Sequence, residues 1–204
     1  EEIKNELGKE QIPFLKKIDK IFENENIDCI LFQDYDKGIL NDTIINYIIV
    51  ESHKLKIPTI VDPKNNNFNN YIGVTLFKPN FKEFKDNINI QNIDKKELLK
   101  KGAIKLHDNG IEIVFITLSE NGIFISYKKD KKIISKIVPG SSIDVVDVSG
   151  AGDTVAAVIS MLLNEIEIEE IAKISNFAGG LACEEVGVVP VDKEKLINKY
   201  NGEN

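Results

Sequence analysis

Short apolar runs alternate with amphipathic stretches along most of the chain, and this alternation constrains the fold more than any other feature of the sequence. The runs at residues 28–33, 57–62, 74–77 and 111–118 carry apolar side chains at consecutive positions rather than at every second one. Strands of that kind are buried on both faces, as in a parallel sheet between two layers of helices. The stretches between them have helical spacing. A first amphipathic helix begins near Lys9 and closes over residues 19–26. Ile44, Ile45, Ile48 and Ile49 follow Asn41, Asp42 and Thr43, which are capping types. Asp94 opens a helix through Leu98, Leu99 and Ile104, and residues 154–163, 168–184 and 193–200 read as three more. The run at 111–118 reads as the longest strand. After the turn signal Asn121-Gly122, residues 123–127 and 132–138 form a hairpin about a lysine-rich turn near Asp130. The whole predicts an α/β fold with a doubly wound, mainly parallel sheet, helices on both faces and one antiparallel hairpin at an edge. Ligands of such sheets bind beyond the carboxyl ends of the strands, which puts Asp34, Asp62, Asn80, Ser119 and Asp147 on one rim.

The chain of 204 residues is long enough for one domain with a substantial core, so residues 1–204 are read as a single domain. Its formal charge of -7 and the lack of a basic stripe exclude nucleic acid as an expected partner. No apolar run has the length of a membrane span, and no secretory segment opens the chain. The first residue is Glu1 rather than Met, so the chain is expected to be part of a longer protein. Cys29 and Cys183 lack CxxC or Cys/His partners and read as structural thiols of a reducing compartment. His53 and His107 lack metal-ligand spacing and lie in lysine-bearing helical stretches, which points to surface or half-buried positions. The asparagine cluster at 65–70 reads as a polar loop.

The densest chemical signal is DVSGAGDT at residues 147–154, with a strand-like run before it and an apolar helix after it. Gly150, Ala151 and Gly152 let backbone N–H groups crowd together at a helix start, which makes an anion site. A carboxylate in that turn, Asp153, would be repelled by a bound phosphate unless it has a task. Accepting the proton of an attacking hydroxyl during phosphoryl transfer is the natural one. The bland alternative is a glycine-rich turn with Asp153 as helix cap. Asn80 and Glu83 stand one helical turn apart and either share a face toward a hard cation or form a capping box. TLSENG at 117–122 is a loop after a strand that also satisfies a plain hairpin turn.

The octet closely resembles the second signature of the ribokinase-like, PfkB-type carbohydrate kinases, D-T-x-G-A-G-D, with Val148 in place of the usual threonine. The resemblance implies a ribokinase-like fold, Asp153 as catalytic base, and Gly150, Ala151 and Gly152 as the anion hole for the transferred group. PNFKE at 79–83 resembles the family's N-x-x-E motif. It implies Asn80 and Glu83 at Mg²⁺, and Asn80, Phe81, Lys82 and Glu83 beside ATP. The loop at 117–122 is similar to a nucleotide-binding T-x-G-x-x-G segment, with Ser119 where glycine is common. Ser119, Glu120 and Gly122 are then ATP contacts, and Asn176 resembles a family position near the adenine.

Three segments, QDYDKG at 33–38, VDPK at 61–64 and YIGVTLFKPN at 71–80, are similar to the kinase domain of bacterial ADP-heptose synthases, with Phe68 and Tyr71 following Lys64 as in that group. Gln33 and Asp36 depart from its commoner serine and glycine. This similarity implies phosphorylation of D-glycero-D-manno-heptose 7-phosphate at O1, with Asp34, Lys37 and Lys64 on the substrate side. Implied partners are a sugar phosphate and ATP with Mg²⁺, in the cytoplasm and without a membrane. A homodimer is compatible with this reading. The resemblance spans residues 28–190. The N-terminal region that gives the family a β-sheet lid and a Gly-Gly motif is absent from this chain, which is expected to be nearly inactive alone. Two other readings stay open. One is a kinase of this family acting on another sugar, sugar phosphate or nucleoside. The other is a nucleotide-binding module without catalysis. A flavodoxin-like domain would not need the Asp153 octet.

Overall fold

The computed structural model of the chain describes residues 11–140 and 145–202. In chain order the elements are α1 (Gln11–Asn24), β1 (Ile30–Gln33), α2 (Asp42–Leu55), β2 (Thr59–Asp62), β3 (Leu76–Phe77), α3 (Phe81–Ile88), α4 (Lys95–Asp108), β4 (Ile113–Thr117), β5 (Ile123–Lys129), β6 (Lys132–Val138), α5 (Ala151–Leu162), α6 (Ile168–Cys183) and α7 (Lys193–Gly202). The expected helix start near Lys9 lies outside the described residues.

The strands form one sheet in the order β1-β2-β3-β4-β5-β6. The first four are parallel, and the hairpin β5–β6 runs antiparallel at the edge. Each crossover from β1 to β4 advances the same way across the sheet, so right-handed connections bring their helices to one face. Side chains of consecutive strand residues then divide between two cores. Phe32, Val61, Phe77, Val114 and Ile116 point into the larger core, with α2, α3 and α4. Ile60, Leu76 and Phe115 point into the other, with Val155 and Ile159 of α5 and Ile171 of α6. Continuous apolar runs were therefore needed in the middle strands, and the opposite face is covered only once the chain returns after the hairpin. At about 25 cal/mol per Å² of apolar area buried, this two-sided burial is the main stabilising contribution of the middle strands.

Several expectations are corrected by the structure. The longest strands are β5 and β6, not the run at 111–118. Leu118 has φ -117 and ψ 25 and leads out of β4 into a 3₁₀ turn, Ser119–Asn121. The strand-like run before the octet falls partly outside the described residues, and Val145 and Val146 are not in a strand. α5 starts at Ala151 rather than Thr154. His107 is buried rather than half-exposed: its Nδ1 lies 2.8 Å from the Ile111 carbonyl and its Nε2 3.0 Å from Ser126 Oγ, on the side of α4 that faces the sheet. Among the described residues no helix is long and apolar enough to cross a membrane.

Candidate active site

The registers bring the carboxyl ends of the parallel strands level. Gln33 stands opposite Asp62, Phe77 opposite both Val61 and Val114, and Asn80 bridges to Thr117. Asp34, Asp62, Asn80 and Ser119 therefore follow successive strands on one rim. Asp147 reaches that rim from the segment before α5, where its carboxylate accepts from the Ser149 amide and hydroxyl and from the Gly187 amide. The Ser149 and Gly187 amides, then the Ser149 hydroxyl, hold its carboxyl below the usual carboxylate range.

At the start of α5, Gly150 is the N-cap at φ 77, a left-handed conformation that favours glycine, and no side chain caps the helix. Ala151 N donates to the Val148 carbonyl at 3.3 Å, and Thr154 N closes the first helical bond to Gly150 at 2.9 Å. The amides of Gly152 and Asp153 between them have no acceptor within the helix, where the macrodipole favours negative charge. Asp153 is thus not the cap. Its Oδ1 accepts from Gln33 Nε2 at 2.8 Å and from the Tyr35 hydroxyl at 3.0 Å. Burial, then the bond to Asp153, raise the Tyr35 pKa and keep that phenol a donor.

Beneath this turn lies a buried ion pair, Lys78 Nζ to Asp62 Oδ1 at 3.0 Å, with Lys78 only 2% exposed. A Cβ on Gly152 would come within 3.8 Å of Lys78 Nζ and 3.9 Å of Asp62 Oδ2, so the glycine lets the helix start settle over the pair. Lys78 and Tyr35 are site residues to which sequence reasoning assigned no role. Their signal was position: one follows β3 directly, the other follows β1.

Asn80 and Glu83 form both arms of a capping box on α3, each bond 2.9 Å long. Glu83 Oε1 also accepts from Lys64 Nζ at 2.7 Å. Burial opposes the Lys64 charge, but the bond to Glu83 and the carboxylates of Asp62 and Asp153 outweigh it and raise the Lys64 pKa. The capping geometry is therefore present, and it leaves Glu83 anchored at the rim. Lys82 is exposed, and Phe81 packs against the larger core with Lys95 Nζ 4.7 Å from its ring centroid. Asp34 is buried, accepting from Tyr71 and Asn67 at 2.8 Å each and from the Asp36 amide at 2.8 Å, so it fastens the loop after β1. Burial and then the bond to Asp34 push the Tyr71 phenol well up. Lys37 is exposed on that loop.

Next to the turn opens a cleft of about 790 Å³ lined by Thr117, Ser119, Glu120, Gly122, Ala151, Gly152, Ser175 and Asn176, among others. Ser119 has φ 55, which explains why glycine suits the position, and Gly122 has φ 86. Asn176 Nδ2 donates to the carbonyls of Val138 and Pro139 at 3.1 and 2.9 Å, and so ties α6 to the strand end that borders the cleft. The structure thus gathers Ser119, Glu120, Gly122, Ala151, Gly152 and Asn176 around one cleft. Asn80, Phe81, Lys82 and Glu83 are not on its wall. Among the described residues no group of three or more His, Cys, Asp or Glu is placed to hold a metal. Mg²⁺ does not need such a group, because it commonly takes one or two carboxylates, waters and phosphate oxygens.

Residues 15–195 match the family described as pfkB family carbohydrate kinase. The chain is 36% identical over 174 residues to bifunctional protein HldE of Campylobacter jejuni, covering 84% of this chain and 36% of the relative. It is 37% identical over 181 residues to that of Campylobacter concisus, covering 86% and 37%. It therefore spans well under half the length of these relatives. Among solved structures, a phosphofructokinase-2 mutant from Escherichia coli superposes with a TM-score of 0.78 at 17% identity, covering 96% of this chain and 62% of that one. Ribokinase from Arabidopsis thaliana, solved with ribose and ATP, gives 0.69 at 20%, covering 89% and 57%. These two share the fold. With the octet on a helix start that no side chain caps, the cleft beside it and the match over most of its length, the chain belongs to the pfkB family of carbohydrate kinases.

Proposed function

We propose that the chain carries the nucleotide site and the catalytic base of an ATP-dependent sugar kinase acting on D-glycero-D-manno-heptose 7-phosphate at O1. The observation that carries the reading is the Asp153 carboxylate in the first turn of α5, beside amides without acceptors and next to a cleft of nucleotide size. Bound ATP supplies the phosphoryl group and Mg²⁺ offsets its charge. Of the expected set Gly150, Ala151 and Gly152, the Ala151 amide already donates to Val148, so the amides of Gly152 and Asp153 are the ones that hold the oxygens of the transferred group. Ser119, Glu120, Gly122 and Asn176 border the nucleotide. Asp153 takes the proton of the acceptor hydroxyl as its oxygen bonds to phosphorus and the bond to the ADP oxygen breaks. Asn80 and Glu83 would be the residues that hold Mg²⁺, which would offset phosphate charge there.

The heptose acceptor rests on the relatives at 36–37% identity and on Lys37 and Lys64 as cations on the sugar side. A second acceptor within the family is favoured by one observation: Gln33, where that group commonly has serine, bonds directly to Asp153. The test is ADP release by the full-length protein with Mg-ATP and a panel of sugar phosphates. The heptose 7-phosphate should exceed fructose 6-phosphate and ribose by at least about tenfold in kcat/KM, a difference of about 1.4 kcal/mol in transition-state binding. Equal or lower turnover of the heptose would move the acceptor elsewhere in the family, and no release with any acceptor would sink the kinase reading.

A further inference from the structure

Gln33 ends β1 directly opposite Asp62, and its side-chain nitrogen lies between two carboxylates, 3.0 Å from Asp62 Oδ2 and 2.8 Å from Asp153 Oδ1. Ionised carboxylates only accept, so the amide nitrogen rather than its oxygen must face them, with one hydrogen for each. Asp62 is held on its other oxygen by buried Lys78, and Asp153 Oδ1 takes a second bond from Tyr35. The other charged group facing the cluster, Lys64, is bonded to Glu83. Among the described residues no other side chain is bonded to Asp153.

We propose that Gln33 is a positioning residue for phosphoryl transfer: its amide ties Asp153 to the Asp62–Lys78 pair and reserves Oδ2 of Asp153 for the proton of the acceptor hydroxyl. The inference rests on Asp153 being the base. Two carboxylates brought to one nitrogen repel, and without a donor between them one of the pair takes up a proton more readily. A carboxyl group that already holds a proton cannot accept the acceptor's. One N–H for each partner removes that pressure. The two bonds on Oδ1 also fix the plane of the carboxylate, so Oδ2 is the oxygen presented to the substrate. In the transfer, the acceptor O–H bond breaks toward Oδ2 as its oxygen bonds to phosphorus and the phosphorus–oxygen bond to ADP opens.

Gln33→Met keeps the length and removes both hydrogens. Gln33→Asn keeps an amide too short to span both carboxylates, and serves as the second variant should the first fold poorly. In the full-length protein each should lower kcat about tenfold to a hundredfold at neutral pH, the range expected for losing a bond to a charged group. The loss at neutral pH comes from the lost aim of Oδ2; it should deepen as pH falls, because the acid limb of the kcat profile moves upward, while the KM for ATP stays within about twofold. A loss equal at every pH would make Gln33 a packing residue and overturn the proposal. Carboxyl titration by ¹³C NMR of Asp-labelled protein without substrates reads the bridge independently of turnover. If the titrating aspartate signals are the same in wild type and both variants, the bridge is refuted whatever the activity. If they move while the wild type releases no ADP with any acceptor, the kinase reading fails and the bridge alone stands.

Discussion

The two oxygens of Asp153 differ in their surroundings. Oδ1 is occupied by Gln33 at the end of β1 and by Tyr35 in the loop after it, and this decides what an asparagine at the position would do. Both donors need an acceptor, so the asparagine carbonyl must turn toward them and its NH₂ then occupies the place of Oδ2. On the proposed role of Asp153, a donor would stand where the base is required. Asp153→Asn should therefore keep its melting temperature and ATP affinity, since the helix is capped by Gly150 and not by this side chain. Its kcat should fall by about two to four orders of magnitude, the usual loss on removing a general base. Steady-state kinetics with a thermal melt on the same sample check this. A kcat within a few-fold of wild type would remove Asp153 from catalysis. The Lys78–Asp62 pair beneath is a different kind of residue-scale feature. Removing one partner of a buried pair leaves the other charge unmatched, so the pair is better regarded as fixing the floor of the site than as adding stability.

At the scale of elements, the loop after β4 and the end of β6 are locked together. A Cβ on Gly122 would lie 2.1 Å from the Val138 carbonyl oxygen and 2.4 Å from Gly140 N, both backbone atoms that cannot swing away. Gly38 shares its φ of 86 but has nothing within 4 Å. Gly122→Ala should thus cost at least about 3 kcal/mol, conformational strain plus overlap, against about 1–2 kcal/mol for Gly38→Ala, where only the conformation is strained. Urea midpoints of the two variants give the comparison, and equal losses would mean that the strand end yields. Such locks explain what the sequence could reveal. The parallel strands were legible because two-sided burial leaves consecutive apolar residues, and α2 and α4 because Asn41 and Asp94 cap them with their own side chains, whereas of α3 only the turn from Asn80 to Glu83 was legible. The start of α5 was misplaced because a glycine in the left-handed conformation caps it without a side-chain signal. Asp153, the glycines and the Ser119 loop were legible as contiguous motifs. Gln33, Tyr35, Asp62 and Lys78 meet only through the sheet register, which no local pattern encodes.

For the whole molecule, nucleotide should act as a clamp between the two halves of the cleft, the loop after β4 on one side and α5–α6 on the other. Binding to the folded state alone at a hundredfold excess over Kd stabilises by about 2.7 kcal/mol, which for a domain of this size raises Tm by roughly 5–10 °C. Calorimetry with and without millimolar Mg-ATP measures it, and no shift would mean that the folded chain does not bind the nucleotide. The bond from Gln33 to Asp153 joins residues 120 apart in the chain. Closing so long a loop is entropically slow compared with forming the helices and hairpin between them. On a ribosome the end of β1 can meet Asp62 early, but its bond to Asp153 must wait until residue 153 emerges. A polypeptide stopped anywhere before residue 153 would own most of the sheet and lack the carboxylate that, on the reading proposed above, takes the acceptor's proton.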